Sequence, residues 1–228
     1  MPAYLQNQPA SAKTLQPNSQ LREGVGGAVP VPLQPPELGF VLDRSGSMAS
    51  LCTEAISGFN HLLSEQRSVN SSALFSLSLF DHENILIHDA VPLADIPDLT
   101  PHSFVPRGGT ALNDAIAAMI QRIGHRARRQ TRVLVAILTD GMENSSHQFS
   151  QDDVLRMITY RRTTYDWQFI FIGPQDAIPY ALSIGIPKSN VVAFDADPAG
   201  MRQIMLRLSK SMKAYQLGDR RYALKLHN

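Results

Sequence analysis

An aspartate and two serines stand at alternate positions in the turn Asp43-Arg44-Ser45-Gly46-Ser47. In a tight turn alternate side chains can point the same way, so one carboxylate and two hydroxyls can converge. Hard oxygen donors of this kind suit Mg2+ or Mn2+. Asp and Ser are also the usual N-cap residues of helices, and taken alone the turn is open to that simpler reading. Two further oxygen-bearing stretches lie downstream. Thr110 stands in Arg107-Gly108-Gly109-Thr110-Ala111-Leu112, and Asp140 in Ile137-Leu138-Thr139-Asp140-Gly141.

The elements that must position these residues are legible from hydrophobic spacing. Leu38-Gly39-Phe40-Val41-Leu42, bounded by Pro35-Pro36 and by the turn, reads as a short buried strand ending at Asp43. Leu51, Ala55, Ile56, Phe59, Leu62 and Leu63 recur at helical spacing over residues 51–67. Residues 132–138 form a near-continuous apolar run typical of a parallel strand covered on both faces, and Asp140 follows it. Thr110 opens a second helix over 110–123, with Gly108 and Gly109 allowing close backbone approach. In an open α/β sheet, ligands bind outside the carboxyl ends of the strands at a topological switch point. Both strand-terminal carboxylates are therefore expected to face that crevice.

The remaining elements complete the same architecture. Residues 73–80 alternate apolar and polar, residues 81–84 read as a tight turn, and 85–87 as a short return strand. So short a link cannot make a parallel crossover, which predicts an antiparallel hairpin at the sheet edge. Residues 89–107 form a Pro-punctuated connection with one helical turn at 94–99. Helices are expected over 150–162, 177–184 and 198–215, and strands over 167–172 and 191–194. The prediction is a doubly wound, mostly parallel α/β sheet of six strands, one of them antiparallel at the edge. On the last helix Met201, Ile204, Met205, Leu208, Met212 and Tyr215 make an apolar stripe expected to face the core. The domain is assigned to residues 37–228. Residues 1–36 hold seven of the 15 prolines and little to bury, and are expected to be extended or disordered.

Together D-R-S-G-S, G-G-T-A-L and L-T-D-G resemble, in the same order, the metal-ion-dependent adhesion site of von Willebrand factor A domains. The resemblance runs from residue 38 to the end of the chain, and the chain resembles cytosolic bacterial members of the family, whose fold is Rossmann-like. It implies that Ser45, Ser47 and Thr110 hold Mg2+ (or Mn2+) by hydroxyl, with Asp43 and Asp140 acting largely through bound water. Neutral protein ligands leave the ion most of its charge, so a partner's Asp or Glu carboxylate can replace a water. The implied function is a non-enzymatic protein-binding module or adaptor. Two alternatives stand beside it: a Mg-dependent phosphoryl-transfer enzyme, and a regulatory subunit of an ATPase, chelatase or kinase–phosphatase system. Phosphoryl transfer usually needs a positioned base and a phosphate-clamping lysine, and no lysine lies between Lys13 and Lys188.

Arg44, Met48, Arg107, Met142, Glu143 and His147 are expected to rim the metal, the two arginines suiting an acidic partner. Arg122, Arg126, Arg128, Arg129 and Arg132 read as a solvated basic surface following the second helix. A net charge of +1 gives no case for nucleic-acid or membrane-surface binding. Cys52, the sole cysteine, excludes an intramolecular disulfide and reads as a small core residue. No apolar stretch approaches the length of a membrane span, and the first 20 residues lack the apolar core of a secretory signal, so a cytoplasmic location is expected. A small-molecule substrate is not expected.

Overall fold

The computed structural model describes residues 34–219; the Pro-rich segment expected to be extended lies, but for its last three residues, outside them. The chain runs β1 (Glu37–Asp43), α1 (Cys52–Val69), β2 (Leu74–Phe80), β3 (Asn84–Pro92), α2 (Leu112–Arg126), β4 (Val133–Leu138), α3 (Gln151–Tyr165), β5 (Gln168–Gly173), α4 (Ile178–Ser183), β6 (Val191–Ala193), α5 (Pro198–Gln216). One six-stranded sheet has the order β3-β2-β1-β4-β5-β6. All neighbours are parallel except β2 and β3.

This order makes β1 the pivot. The chain leaves β1 toward β2 and β3 on one side, then crosses back to place β4 on the other side. Loops leaving β1 and β4 therefore diverge and open a crevice between them, at the carboxyl ends of both strands. Every residue of β1 and β4 is buried, as continuous apolar runs in a parallel sheet require.

Two cores lie on opposite faces of the sheet. On one, Phe40, Phe59, Phe75 and Leu134 pack with α1 and α5, and the expected stripe from Met201 to Tyr215 is buried here. On the other, Val41, Ile116, Ile120, Val135 and Ile137 pack with α2, α3 and α4. Cys52 is partly buried against the first core, its Sγ 3.7 Å from the Phe104 carbonyl oxygen.

The hairpin is antiparallel and forms the edge, but its return strand runs to Pro92, well beyond Ile87. The extension is hidden by a register irregularity: Ala90 adopts φ +53°, and its N–H bonds to Ser76 Oγ at 3.0 Å. A bulge breaks the two-residue period by which a strand is read. The helical turn expected at 94–99 is a 3-10 turn at Leu93–Asp95, cut off where Pro97 disfavours helical geometry at Ile96.

Of the arginine cluster, Arg122, Arg128 and Arg129 are exposed as expected, and Arg126 and Arg132 are not. Arg126 joins the strands of one edge region, bonding Glu37 at 2.9 Å, Asp89 at 2.6 Å and Ser76 Oγ at 2.8 Å. Arg132 donates to the carbonyls of Tyr215 and Gln216, at the C-terminal end of α5 where a cation is favoured. These two arginines are structural.

Candidate metal centre

Asp43 is the last residue of β1 and is fully buried. Its Oδ1 accepts from the Ser45 amide at 2.6 Å, and its Oδ2 accepts from Thr139 Oγ1 at 2.6 Å. The first bond closes the turn that lifts Ser45 and Ser47 over the strand end. The second joins the end of β1 to the loop after β4. Ser45 Oγ lies 3.2 Å from Ser47 Oγ, and Ser47 Oγ donates to Asp140 Oδ1 at 2.8 Å.

Thr110 precedes α2 and is buried. Its N–H donates to Asn144 Oδ1 at 2.9 Å, and its carbonyl accepts from the amides of Asn144 and Ser145 at 3.0 and 3.2 Å. A β-carbon placed on Gly141 would sit 3.7 Å from Thr110 Oγ1 and 4.0 Å from Ser47 Oγ. The two hydroxyls thus look onto one small space that Gly141 leaves open. All five residues nominated from the sequence meet at the β1–β4 crevice.

The first loop and the Thr110 loop are tied to the end of β2. Arg44 N donates to Phe80 O at 2.7 Å, Arg107 N to Arg44 O at 2.9 Å, Gly46 N to Gly108 O at 3.1 Å, and Ala111 N to Asp81 O at 2.7 Å. Gly108 has φ +64°, and a β-carbon there would lie 2.0 Å from His82 Nδ1. Only glycine fits that position.

The expected rim is divided. Met142 is 44% exposed, Arg107 is exposed but bonds Asp81 and Glu83, and His147 is exposed. Met48 is buried in the core beneath the site. Arg44 is buried too, its Nη2 2.9 Å from Asp81 Oδ2. Glu143 faces inward: Oε2 accepts from the Asn113 amide at 2.7 Å, and Oε1 from the Ser145 and Ser146 amides at 2.9 and 2.8 Å. It caps α2, whose own N-cap residue Ala111 supplies no side-chain bond.

Burial pushes the Asp43 carboxyl up to about 6, against its bonds to Thr139 and Ser45, and burial also raises Asp140. Among the described residues neither carboxylate has a cationic side-chain partner, which is the condition a bound cation relieves. The donors are all oxygen: two carboxylates and three hydroxyls. The 3.2 Å between Ser45 Oγ and Ser47 Oγ is close to the ~3.0 Å separating adjacent ligands on an octahedral ion with bonds of about 2.1 Å. The residues fit Mg2+ or Mn2+.

A second acidic group stands beside this one. Asp81, His82 and Glu83 bring potential ligand atoms within 4.8 Å of one another. Arg44 and Arg107 already occupy Asp81, and Arg107 occupies Glu83. A cation there would face two guanidinium groups.

Thr139, Asn144 and Asp81 were not nominated from the sequence. Asp81 follows a strand end just as Asp43 and Asp140 do, so the same signal pointed to it. Asn144 acts through a loop whose course no local pattern specifies.

No protein-family model matches the chain, and no curated protein matches it. Solved structures do. A von Willebrand factor type A protein from Catenulispora acidiphila aligns over 81% of this chain and 43% of its own, at 15% identity and TM-score 0.55. The fold is that of von Willebrand factor A domains. The SpRpn10 VWA domain aligns over 76% of this chain and 95% of its own, at 12% identity and TM-score 0.55. Manganese-loaded TRAP protein from Plasmodium vivax aligns over 75% of this chain and 72% of its own, at 18% identity and TM-score 0.50. The chain thus spans under half the length of the Catenulispora VWA protein, but nearly all of the SpRpn10 domain. Among the described residues, no helix is long and apolar enough to cross a membrane.

Proposed function

We propose that this VWA-fold chain is a protein-interaction module that grips an acidic residue of its partner through one divalent ion. Ser45, Ser47 and Thr110 would hold the ion by hydroxyl, and Asp43 and Asp140 through water. When bound, Mg2+ or Mn2+ supplies an open coordination position for a carboxylate. The observation that carries the reading is the convergence of Ser45, Ser47 and Asp140 in one hydrogen-bonded line above buried Asp43, with bonds of 3.2 and 2.8 Å.

The chain's own residues prepare that position. Thr139 and the Ser45 amide engage both oxygens of Asp43, orienting it as a support beneath the turn rather than as an outward ligand. Gly141 leaves room above the hydroxyls, and exposed Met142 flanks the opening. TRAP protein, which shares this fold, has been solved manganese-loaded, and a metal-binding reading of this chain accords with that.

The position of the basic side chains favours binding over phosphoryl transfer. Arg44 and Arg107, carried by the two site loops, are directed to Asp81 and Glu83. A phosphate-clamping cation would have to be drawn from those ion pairs.

The test is thermal unfolding with and without Mg2+, followed by partner capture with and without chelator. Mg2+ should raise the melting temperature by mass action, and Asp43→Ala or Asp140→Ala should abolish the rise. A rise that persists in both variants would refute the assignment of these residues.

A further inference from the structure

We infer that Asp81 keeps the metal centre open to a cation by sequestering the charge of Arg44, acting as a positioning residue and not as a ligand. The inference rests on the metal-site reading above and extends it to a residue outside the five nominated oxygens.

Arg44 is flanked by Asp43 and Ser45 in the turn that forms the site, yet it is buried, with 7% of its surface exposed. A guanidinium in such a place ordinarily satisfies its five donors. Among the described residues Nε and Nη2 find no directed hydrogen bond, and Nη2 is instead ion-paired, 2.9 Å from Asp81 Oδ2. Charge, more than hydrogen bonding, keeps Arg44 where it is. Asp81 is fully buried at the end of β2, and the same Oδ2 accepts from Arg107 Nε at 2.9 Å. Its Oδ1 accepts from the Glu83 amide at 2.8 Å and lies 3.1 Å from His82 Nδ1. These bonds fix the carboxylate facing Arg44.

The alternative role would be mechanical, with the Asp81 side chain holding the two site loops together. Backbone bonds already do this: Arg107 N to Arg44 O, Gly46 N to Gly108 O, and Ala111 N to the Asp81 carbonyl. None needs the carboxylate. What only the carboxylate supplies is a negative charge against Arg44. Without it, a buried cation with no counterion would stand one residue from Asp43. It would repel an arriving Mg2+ and compete for the carboxylates that receive it.

The experiment is calorimetric titration of the full chain with Mg2+ alone, with metal-free melting temperatures recorded alongside. Asp81→Asn keeps the shape and removes the charge, and is expected to weaken Mg2+ binding by about tenfold or more. Adding Arg44→Gln to that variant removes the stranded cation, and is expected to bring affinity back to within about threefold of the parent chain. A ligand or a purely mechanical role would show no such rescue. Parent-like binding by Asp81→Asn, or a double variant as weak as Asp81→Asn, overturns the inference. If Asp81→Asn alone does not fold, the double variant decides: parent-like affinity upholds the inference and a loss of about tenfold overturns it. Failure of the parent chain to bind Mg2+ at all would instead remove the metal reading, and this inference with it.

Discussion

Ser47 Oγ donates to Asp140 Oδ1 across 2.8 Å, joining residues 93 positions apart in the chain. The bond spans the crevice between the loops of β1 and β4 and aligns a hydroxyl and a carboxylate that share one space. Ser47 is exposed, so the bond itself is worth little to stability, about 0.5–1.5 kcal/mol at most. Ser47→Ala should leave the metal-free melting temperature nearly unchanged while weakening Mg2+ binding by about tenfold, or about 1.4 kcal/mol. Calorimetric titration checks this, and unchanged affinity would remove Ser47 from the ligand set.

Gly141 offers a complementary probe. A methyl group there would meet Thr110 Oγ1 and Ser47 Oγ at ordinary contact distances of 3.7 and 4.0 Å, without touching backbone. Gly141→Ala should therefore fold as stably as the parent, within about 0.5 kcal/mol, yet intrude where the ion and its waters would sit. The expected result is lost Mg2+ response with an unchanged melt in chelator.

The pH dependence follows from Asp43, raised to about 6 chiefly by burial. A carboxyl whose folded pKa exceeds its unfolded value of about 3.9 contributes stability that is full below about pH 4 and lost as the pH rises through about 6. In chelator, this group should make the protein less stable at about pH 7.5 than at about pH 5. The Mg2+-induced rise in melting temperature should run the other way, growing as the carboxylate ionises. Equal Mg2+ shifts at the two pH values would contradict a role for Asp43 in metal binding. Thr139→Val should destabilise the chain by about 1–3 kcal/mol, since it removes a buried bond to that carboxylate.

Glu143 tests the positioning of the Thr110 loop. Its carboxylate caps α2 and takes two further amides from its own loop. Glu143→Ala should cost about 1–2 kcal/mol in chemical unfolding, and Glu143→Gln about as much, because both carboxylate oxygens accept amide N–H groups and the Gln NH2 would oppose one of them. A Glu143→Gln cost well below that of Glu143→Ala would mean that a single accepting oxygen suffices for the cap.

At the proposed interface, Thr110→Ala removes a hydroxyl and no charge. Binding of an acidic partner should weaken in this variant and on chelation. Replacing the partner's carboxylate as well should add little, with coupling well above the ~0.3–0.5 kcal/mol scatter of independent sites. Partner capture that survives both Thr110→Ala and chelation would place the interface elsewhere.

Which strands are central, and where they end, can be read directly from the order of residues. Buried parallel strands are written as continuous apolar runs, and Asp43 and Asp140 mark the ends of two of them. The helices on both faces were legible for the same reason, since burial imposes a 3.6-residue period on α1, α2 and α5. The edge strand was legible only to Ile87, because the bulge at Ala90 interrupts its period. Three matters belonged to tertiary structure alone. Arg44 turns from the expected rim to Asp81, Glu143 turns inward to cap α2, and Arg126 links Glu37 to Asp89. Each is a charged side chain whose partner lies on another element. Where such a side chain points is decided by which opposite charge or unpaired amide the fold brings within reach, and no local pattern in the chain records that distance.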